Sequence, residues 1–321
     1  MTGQEQSKPI GLNMNILVYV ESPYQLSNAI SYIDVSSASI CQILIRDNGS
    51  MLQNKQYKNV LAANKIKGRF LVIRRVGVFG KLKGLLLLLY CIARYAGHAQ
   101  EIIIGDARSI FSKLFILFGN LFNRRIVLVD DGLYLLSYIS KVLDKRYVIY
   151  TKLPLEKVVR SCVSRLYIVP QEVKKIEIIP ANSVSFVGMK LVEIGYLDED
   201  IYIKILQEVA YKGKGSGKNL IYYAHREESD NKLSLIESLG YKVIKSELPV
   251  EQLLERDGAP SGSYYSLYST AIYNLSKSIA GSKFYSYRID KFYWPAHARE
   301  AIEQCYDLLK ISGIEILDIR F

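Results

Sequence analysis

Cysteine is scarce in this 321-residue chain, and the placement of its few cysteines excludes several kinds of site. The four thiols, Cys41, Cys91, Cys162 and Cys305, stand far apart in apolar stretches. No CxxC pair occurs, which argues against a thiolate metal site or a redox pair. Single buried thiols are typical of a reducing compartment, so we expect a cytoplasmic protein.

The chain also lacks a hydrophobic run long enough to cross a bilayer, for which about 20 residues are needed. Its longest run, LLLLLYCIA, extends from Leu85 to Ala93, and Lys81, Lys83 and Arg94 flank it. This run predicts a helix buried in a core, with a helix lying on an anionic membrane surface as the alternative. The polar N-terminus, MTGQEQSKPIGLN, has no hydrophobic segment, so we expect no secretory signal.

Acidic residues are outnumbered, since 42 Lys and Arg stand against 31 Asp and Glu and give a formal net charge of +11. Such an excess suits a nucleotide, a nucleic acid or an acidic membrane surface. The basic residues are spread over the chain, and no recognition-helix, zinc-finger or aromatic RNA-binding pattern occurs. We therefore expect no nucleic-acid partner, and keep a basic nucleic-acid-binding protein only as an alternative.

Short apolar runs alternate with helical periodicity along the whole chain, which predicts parallel sheets covered by helices on both faces. The length predicts two domains, and we assign 14–190 to a first Rossmann-like domain and 191–321 to a second one facing it across a cleft. The segment 290–313 predicts a long helix that begins at about Pro295. The runs are NILVYV, ASICQILIR, RFLVIRRV, EIIIGD, RRIVLVDD, RYVIYT, LYIVP, VSFVG, NLIYYAH, YKVIKS and SKSIAGSKFYSY.

Two adjacent aspartates, Asp130 and Asp131, follow the apolar run IVLV and precede Gly132. One interpretation is a turn whose aspartate caps the next helix. The other is a functional site, because ligands of open parallel sheets lie beyond the carboxyl ends of the strands. Ser22 and Gln25, after the first apolar run, have the same two interpretations: substrate contacts, or a plain helix start with Ser22 as its N-cap.

Three stretches in the second half place a polar group at a strand end or a helix start. His225, in IYYAHREES, is the one histidine of three that directly follows a predicted strand. Glu251 follows Pro249 in ELPVEQLL, and Ser269 with Thr270 precedes the helical run of YYSLYSTAIYNL. The structural alternatives are a packed or surface histidine, a Glu in the first turn of a helix, and an ordinary N-cap. Together these groups offer a proton carrier, a carboxylate and an anion-binding helix start.

The ordered set ESPYQL, VDDG, AHREES, LPVE and YST resembles the bacterial sialyltransferases that use a CMP-activated donor, in particular those of lipooligosaccharides and polysialic-acid capsules. These motifs are scattered over most of the chain. The resemblance implies the GT-B fold of glycosyltransferases, with the acceptor on the first domain and the donor on the second. It implies a metal-independent, inverting transfer of a sialic-acid-like nonulosonic acid to a hydroxyl of a surface glycan.

Residue roles carry over by position. The resemblance implies that Asp131, or Asp130 in its place, is the general base, and repulsion between the two would raise one pKa towards a useful value.

The resemblance also implies a set of donor contacts in the second half of the chain. His225 would contact the donor phosphate, Ser269 and Thr270 would hold it, and Glu251 would bind the ribose. Family members often have proline after the histidine, whereas Arg226 stands there in this chain and would add a phosphate contact.

Several properties stay open at the level of sequence. The sugar could be sialic, pseudaminic, legionaminic or Kdo-type, and the acceptor, the linkage, the processivity and the oligomeric state are not specified. A GT-B enzyme that uses a UDP- or GDP-sugar is the main alternative. We expect the CMP-sugar to be a substrate and no cofactor or metal to take part. We also expect a cytoplasmic location with peripheral association with the inner membrane, because donor, acceptor and membrane surface are all anionic.

Overall fold

The computed structural model describes residues 15–36, 39–47, 49–72, 78–129, 132, 147–151, 153, 166–168, 175–215 and 217–320. The chain forms two compact units. The first unit holds the described residues up to 129 together with those between 147 and 168. The second unit holds Gly132 and everything described from residue 175 onwards.

The first unit is built on a parallel sheet of seven strands in the order β3-β2-β1-β4-β5-β6-β7. Its central strands β1, β4 and β5 are buried on both faces, as expected inside a parallel sheet. The chain runs outward from β1 to β3 and returns to place β4 beside β1, so the strand order reverses between β1 and β4. The strands are β1 Asn15–Val20, β2 Ser39–Asp47, β3 Arg69–Val72, β4 Glu101–Ile104, β5 Arg125–Val129, β6 Tyr147–Thr151 and β7 Leu166–Ile168.

Helices cover both faces of the first sheet, as the alternating pattern predicted. Alternate strand residues point to opposite faces. Val18 of β1 packs in the layer of helices α1 and α2, and Leu17 packs in the layer of α3 and α4. The helices are α1 Pro23–Ser36, α2 Met51–Ala63, α3 Val78–Tyr95 and α4 Ile110–Leu121.

The second unit contains a parallel sheet of six strands in the order β10-β9-β8-β11-β12-β13. The strand order reverses between β8 and β11, the two central strands. The strands are β8 Ile178–Val187, β9 Asn219–Tyr223, β10 Lys242–Ile244, β11 Ala259–Ser266, β12 Lys283–Ile289 and β13 Glu315–Ile319. The helices are α5 Glu199–Lys214, α6 Asp230–Ser238, α7 Val250–Asp257, α8 Thr270–Ser278 and α9 Arg299–Ile311.

The boundary between the units differs from the one expected at residue 190. The VSFVG run lies in β8, which pairs with β9 and β11 and so belongs to the second sheet. An apolar strand looks alike in either sheet, because the sheet it joins is decided by its pairing partners. The second unit therefore includes the segment 175–190.

Two further differences have local causes. Strand β11 was not expected, since APSGSYYS reads as a turn-rich stretch; Gly262 permits it, because a Cβ there would lie 2.0 Å from the carbonyl oxygen of Ser183. The last helix begins at Arg299 instead of Pro295, because the Ala298 N–H donates to the Pro295 oxygen at 2.8 Å and closes a turn first.

The structure also shows where two of the cysteines and the long apolar run lie. Cys91 and Cys305 are buried free thiols, whereas Cys162 and the side chain of Cys41 lie outside the described part. Helix α3, which contains the LLLLLYCIA run, lines the core with one face. Within the described ranges, no helix is long and apolar enough to cross a membrane.

Candidate functional site

The carboxyl edge of the second sheet collects most of the predicted donor contacts. The three adjacent strands β9, β8 and β11 are followed by His225, Gly188 and Ser269 respectively. The strand order reverses here, and such a reversal is where open parallel sheets bind ligands. The structure therefore brings the His225 loop and the start of α8 to one edge of one sheet.

The loop after β9 fixes the orientation of the His225 ring. The Glu227 N–H donates to Nδ1 of His225 at 3.2 Å, so in the neutral ring the proton lies on Nε2. Burial, together with the nearby charges of Arg226 and Lys190, lowers the pKa of His225 to about 4. His225 is thus neutral near pH 7 and acts as an Nε2–H hydrogen-bond donor, and it does not carry a charge there.

Two basic side chains accompany the ring. Arg226 lies with Nε 3.6 Å from Oε1 of Glu227. Lys190, beyond the end of β8, donates from Nζ to Oε2 of the same carboxylate at 2.8 Å. Glu227 thus holds two cations beside His225, which favours an anionic ligand at this edge.

A buried ion pair beneath this loop was missed by the sequence analysis. Glu228 and Lys232 are both fully buried in their side chains, and Nζ of Lys232 lies 2.6 Å from Oε1 of Glu228. Oε1 also accepts from the Tyr222 hydroxyl at 2.6 Å, and Oε2 accepts the backbone N–H of His225 at 2.6 Å. Lys232 donates further to the Met189 carbonyl oxygen at 3.0 Å. The pair therefore ties the loops after β8 and β9 together.

Two tyrosines complete this cluster, which we call the Glu228–Lys232 network: Tyr202, Tyr222, Glu228 and Lys232. The hydroxyls of Tyr202 and Tyr222 are 2.8 Å apart, and Nζ of Lys232 lies 3.8 Å from the Tyr202 ring centroid. Burial raises the pKa of Glu228, and the Lys232 charge offsets part of that rise. Gly188 is required beside the network, because a Cβ there would lie 2.5 Å from the Tyr222 hydroxyl.

The signal for the ion pair was present in the sequence but unspecific. Glu228 and Lys232 stand four residues apart around the start of a helix, a spacing that usually marks a solvated surface pair. Their burial depends on Tyr202 from α5 and Tyr222 from β9, which local sequence does not reveal.

The starts of α7 and α8 contain the other two predicted donor groups. Ser269 is the N-cap of α8, and its Oγ accepts the Ala271 N–H at 3.2 Å. Glu251 lies in the first turn of α7, where its Oε1 accepts from Nδ2 of Asn274 in α8 at 2.9 Å. Both structural alternatives are thus observed, and they place a carboxylate beside a helix N-terminus that can receive an anion.

The glycine of the VDDG motif belongs to the second unit, while Asp130 and Asp131 lie outside the described residues. Gly132 has a φ of 76°, which favours glycine and fits the turn interpretation. A Cβ on Gly132 would lie 2.3 Å from Oγ1 of Thr270. The backbone at Gly132 therefore lies against the first residue of α8.

In the first unit, Ser22 and Gln25 occupy the point where the strand order reverses between β1 and β4. Oγ of Ser22 accepts the Gln25 N–H at 3.2 Å, as expected of a helix cap. Oε1 of the buried Gln25 accepts the Glu21 N–H at 2.7 Å, and a Cβ on Gly105 would lie 2.1 Å from that oxygen. These contacts shape the loop, and a substrate contact by either residue stays a prediction.

An ion pair between β1 and β2 was also not predicted. Arg46, near the end of β2, bonds to Glu21, directly after β1, and the two side chains are only 13% and 12% exposed. The Arg46 guanidinium lies 4.8 Å from the Phe111 ring centroid. Both residues stand at the carboxyl ends of apolar runs, a position that could have indicated them. No group of three or more His, Cys, Asp or Glu suited to a metal ion occurs in the part of the chain that is described.

Comparisons with known proteins bear on the fold. No protein-family model matches the chain, and no curated protein sequence does. A Listeria monocytogenes protein named as a UDP-N-acetylglucosamine 2-epimerase is similar in structure, with a TM-score of 0.57 and 10% identity over 86% of this chain and 79% of that one. UGT73P12 of Glycyrrhiza uralensis, solved with glycyrrhetinic acid 3-O-monoglucuronide, has a TM-score of 0.50 and 10% identity over 96% and 81% of the two chains. The fold is GT-B.

A sialyltransferase from Photobacterium damselae also matches, over 95% of this chain and all of its own GT-B domain, at 12% identity and a TM-score of 0.46. A structural similarity this weak says nothing about the donor of this chain. The GT-B assignment rests on the two parallel-sheet units and on the two better matches.

Proposed function

We propose that this chain is a glycosyltransferase that moves a sialic-acid-like sugar from a CMP-activated donor to a hydroxyl of a surface glycan. The observation that supports it most is the geometry at His225. A neutral ring with its proton on Nε2, flanked by two cations, follows a central strand where the strand order reverses. Such an arrangement suits a phosphate that gains charge during the reaction.

The donor side follows from this geometry. When the bond to the sugar breaks, negative charge develops on the phosphate of the departing CMP. His225 would donate to that phosphate, Arg226 would add charge, and the start of α8 with Ser269 and Thr270 would receive an oxygen. Glu251, held by its bond to Asn274 in α8, would accept from the ribose hydroxyls. Since the chain itself supplies the positive charge, we propose that no metal ion takes part.

The acceptor side requires a base. Asp131, with Asp130 as the second candidate, would remove the proton from the acceptor hydroxyl as that oxygen attacks the anomeric carbon. A single displacement of this kind inverts the configuration at that carbon.

A donor with UDP or GDP is the second candidate. The Listeria protein carries a UDP-sugar in its name, although 10% identity shows the fold alone. We also propose a cytoplasmic location, where activated sugars and free thiols are both stable.

A thermal-unfolding screen with CMP, CDP, UDP and GDP, with and without EDTA, tests the proposal. A ligand that binds only the folded state raises the free energy of unfolding by RT ln(1 + [L]/Kd). We expect CMP and CDP, but not UDP or GDP, to raise the unfolding temperature. This rise should persist in EDTA and should be lost in His225→Ala. The exposed His98 of the first unit supplies the matched control, and His98→Ala should keep the rise.

The outcomes separate the candidates. A rise with UDP or GDP alone would favour the second donor, and no rise with any nucleotide would contradict both. Transfer assays with CMP-sugars then test the base, and an unchanged rate in Asp131→Asn would overturn its assignment.

A further inference from the structure

Exposed apolar side chains are concentrated on one part of the first unit. Of the 18 large hydrophobic side chains that are exposed in the described ranges, six lie on the two helices α3 and α4. These helices have only 18 and 12 residues. We call their outward side the α3–α4 surface; its exposed apolar residues are Leu85, Leu86, Tyr90, Ile110, Leu117 and Leu121.

Helix α4 is apolar on the side where a surface helix is normally polar. Ile110, Leu117 and Leu121 are 70%, 62% and 73% exposed, and their spacing places them on one face. Phe115 on the opposite face is fully buried in the core. Lys113 is the one exposed charged residue within α4. A helix that is apolar all round is normally covered on every side, so this face calls for a partner.

Helix α3 continues the same surface. Leu86 and Tyr90 are 60% and 57% exposed, one turn apart on its outward side, while Leu88 and Ile92 pack inward. The inward residues lie in the same core layer as Phe115 of α4, and the two helices contact each other. Their outward faces therefore adjoin and form one apolar area.

The charges around this area have one sign. Neither helix contains an Asp or Glu, whereas Arg94 and Lys113 are exposed basic residues on them. The two acidic residues of the connecting segment are neutralised. Glu101 is buried and pairs with Arg125 at 3.0 Å, and Asp106 pairs with Arg108 at 2.9 Å. The α3–α4 surface thus combines an apolar centre with basic side chains.

We propose that the α3–α4 surface binds an anionic lipid bilayer. Leu86, Tyr90, Leu117 and Leu121 enter the boundary between headgroups and acyl chains, and the basic residues approach the anionic headgroups. A second copy of the chain fits this surface less well, because a twofold interface packs the same surface of both copies together and so brings basic residues of like charge near one another. A nucleic acid would leave the apolar centre uncovered. The inference holds whichever sugar nucleotide the enzyme uses.

Sedimentation with lipid vesicles tests the proposal. The purified protein is mixed with vesicles of phosphatidylcholine alone or with a third of phosphatidylglycerol. We expect binding to the anionic vesicles, at least about tenfold weaker binding to the neutral ones, and partial release by added salt. The double variant Leu117→Glu with Leu121→Glu should bind anionic vesicles at least about tenfold more weakly, because it removes apolar area and reverses charge.

The matched control is Tyr211→Glu with Leu235→Glu, at side chains 80% and 44% exposed in the second unit, and it should bind like the unmodified protein. Circular dichroism and the unfolding midpoint show whether all variants fold alike. Three results would overturn the proposal: no binding to either vesicle, equal loss in both double variants, or a dimer that Leu117→Glu with Leu121→Glu dissociates in the absence of lipid binding.

Discussion

At the scale of single residues, the Glu228–Lys232 network explains how the candidate site keeps its shape. Its carboxylate holds the backbone N–H of His225, and its ammonium holds the carbonyl of Met189. Buried opposite charges rarely stabilise a fold more than apolar side chains of similar volume would. What they provide here is a fixed distance between two loops that follow adjacent strands.

Lys232→Met should destabilise the protein by about 3–5 kcal/mol, because it leaves the buried charge of Glu228 without its partner. The double variant Glu228→Gln with Lys232→Met should lose less stability than the two single variants together, which urea unfolding measures. Lys245→Met is the control, since it breaks an exposed pair with Asp230 and should change stability little. Additive single effects would show that the pair is not coupled.

Gly188→Ala tests the close packing beside the network. The new Cβ would lie 2.5 Å from the Tyr222 hydroxyl and 2.6 Å from Oε2 of Glu228, so both groups must move. We expect a loss of about 1–3 kcal/mol in the free energy of unfolding, together with weaker nucleotide protection. Gly97→Ala, with no atom within 4 Å of its Cβ position, should leave both measurements unchanged.

His225 makes stability depend on pH in a defined direction. Its folded-state pKa of about 4 lies below the ordinary 6.5, so the unfolded chain takes up a proton first as the pH falls. The free energy of unfolding should therefore fall as the pH drops from about 6.5 towards 4. Urea unfolding at about pH 7.5 and 5.5, above the range where most carboxylates titrate, measures this. His225→Gln should show a smaller decline, and an equal decline would place the effect elsewhere.

At the scale of elements, the helix start at Ser269 combines a structural and a binding role. Ser269→Ala removes the N-cap of α8 and should cost about 1 kcal/mol. Ser109 is the N-cap of α4, and its Oγ accepts the Phe111 N–H. Ser109→Ala therefore removes a cap of the same kind and should cost a similar amount. Nucleotide protection in thermal unfolding should weaken only for Ser269→Ala. If both variants or neither weaken it, Ser269 contributes to the fold alone.

Element by element, apolar strands were predictable and their partners were not. The runs NILVYV and EIIIGD correctly predicted β1 and β4, because buried parallel strands are continuous apolar runs. Strand β11 escaped notice because Pro260 and Gly262 resemble a turn, and β8 joined the other sheet because pairing depends on distant residues. For the site, helix starts at Ser269 and after Pro249 were confirmed, since capping is local chemistry. The burial of Glu228 and Lys232 was missed, because it depends on residues from other elements.

At the scale of the whole molecule, both sheets have polar side chains at their carboxyl edge, near the point where the strand order reverses. The first unit presents Glu21 and Arg46 there, and the second presents His225 and Ser269. In the proposed function, the basic edge of the second sheet would receive an anionic nucleotide. The net charge of +11 is consistent with anionic ligands both there and at the α3–α4 surface.

Because the proposed donor contacts all lie in the second unit, a bound nucleotide should protect backbone amides from hydrogen exchange there. Hydrogen exchange measured by mass spectrometry, with and without CMP, should slow in the His225 loop and at the start of α8, around Ser269 and Thr270. Peptides at the Ser22–Gln25 loop of the first unit should change little, because the proposed donor contacts lie in the second. Local protection follows bound ligand, since exchange there requires an opening that the ligand opposes. Protection centred on the Ser22–Gln25 loop would instead assign the nucleotide to the first unit and leave His225 with a structural role.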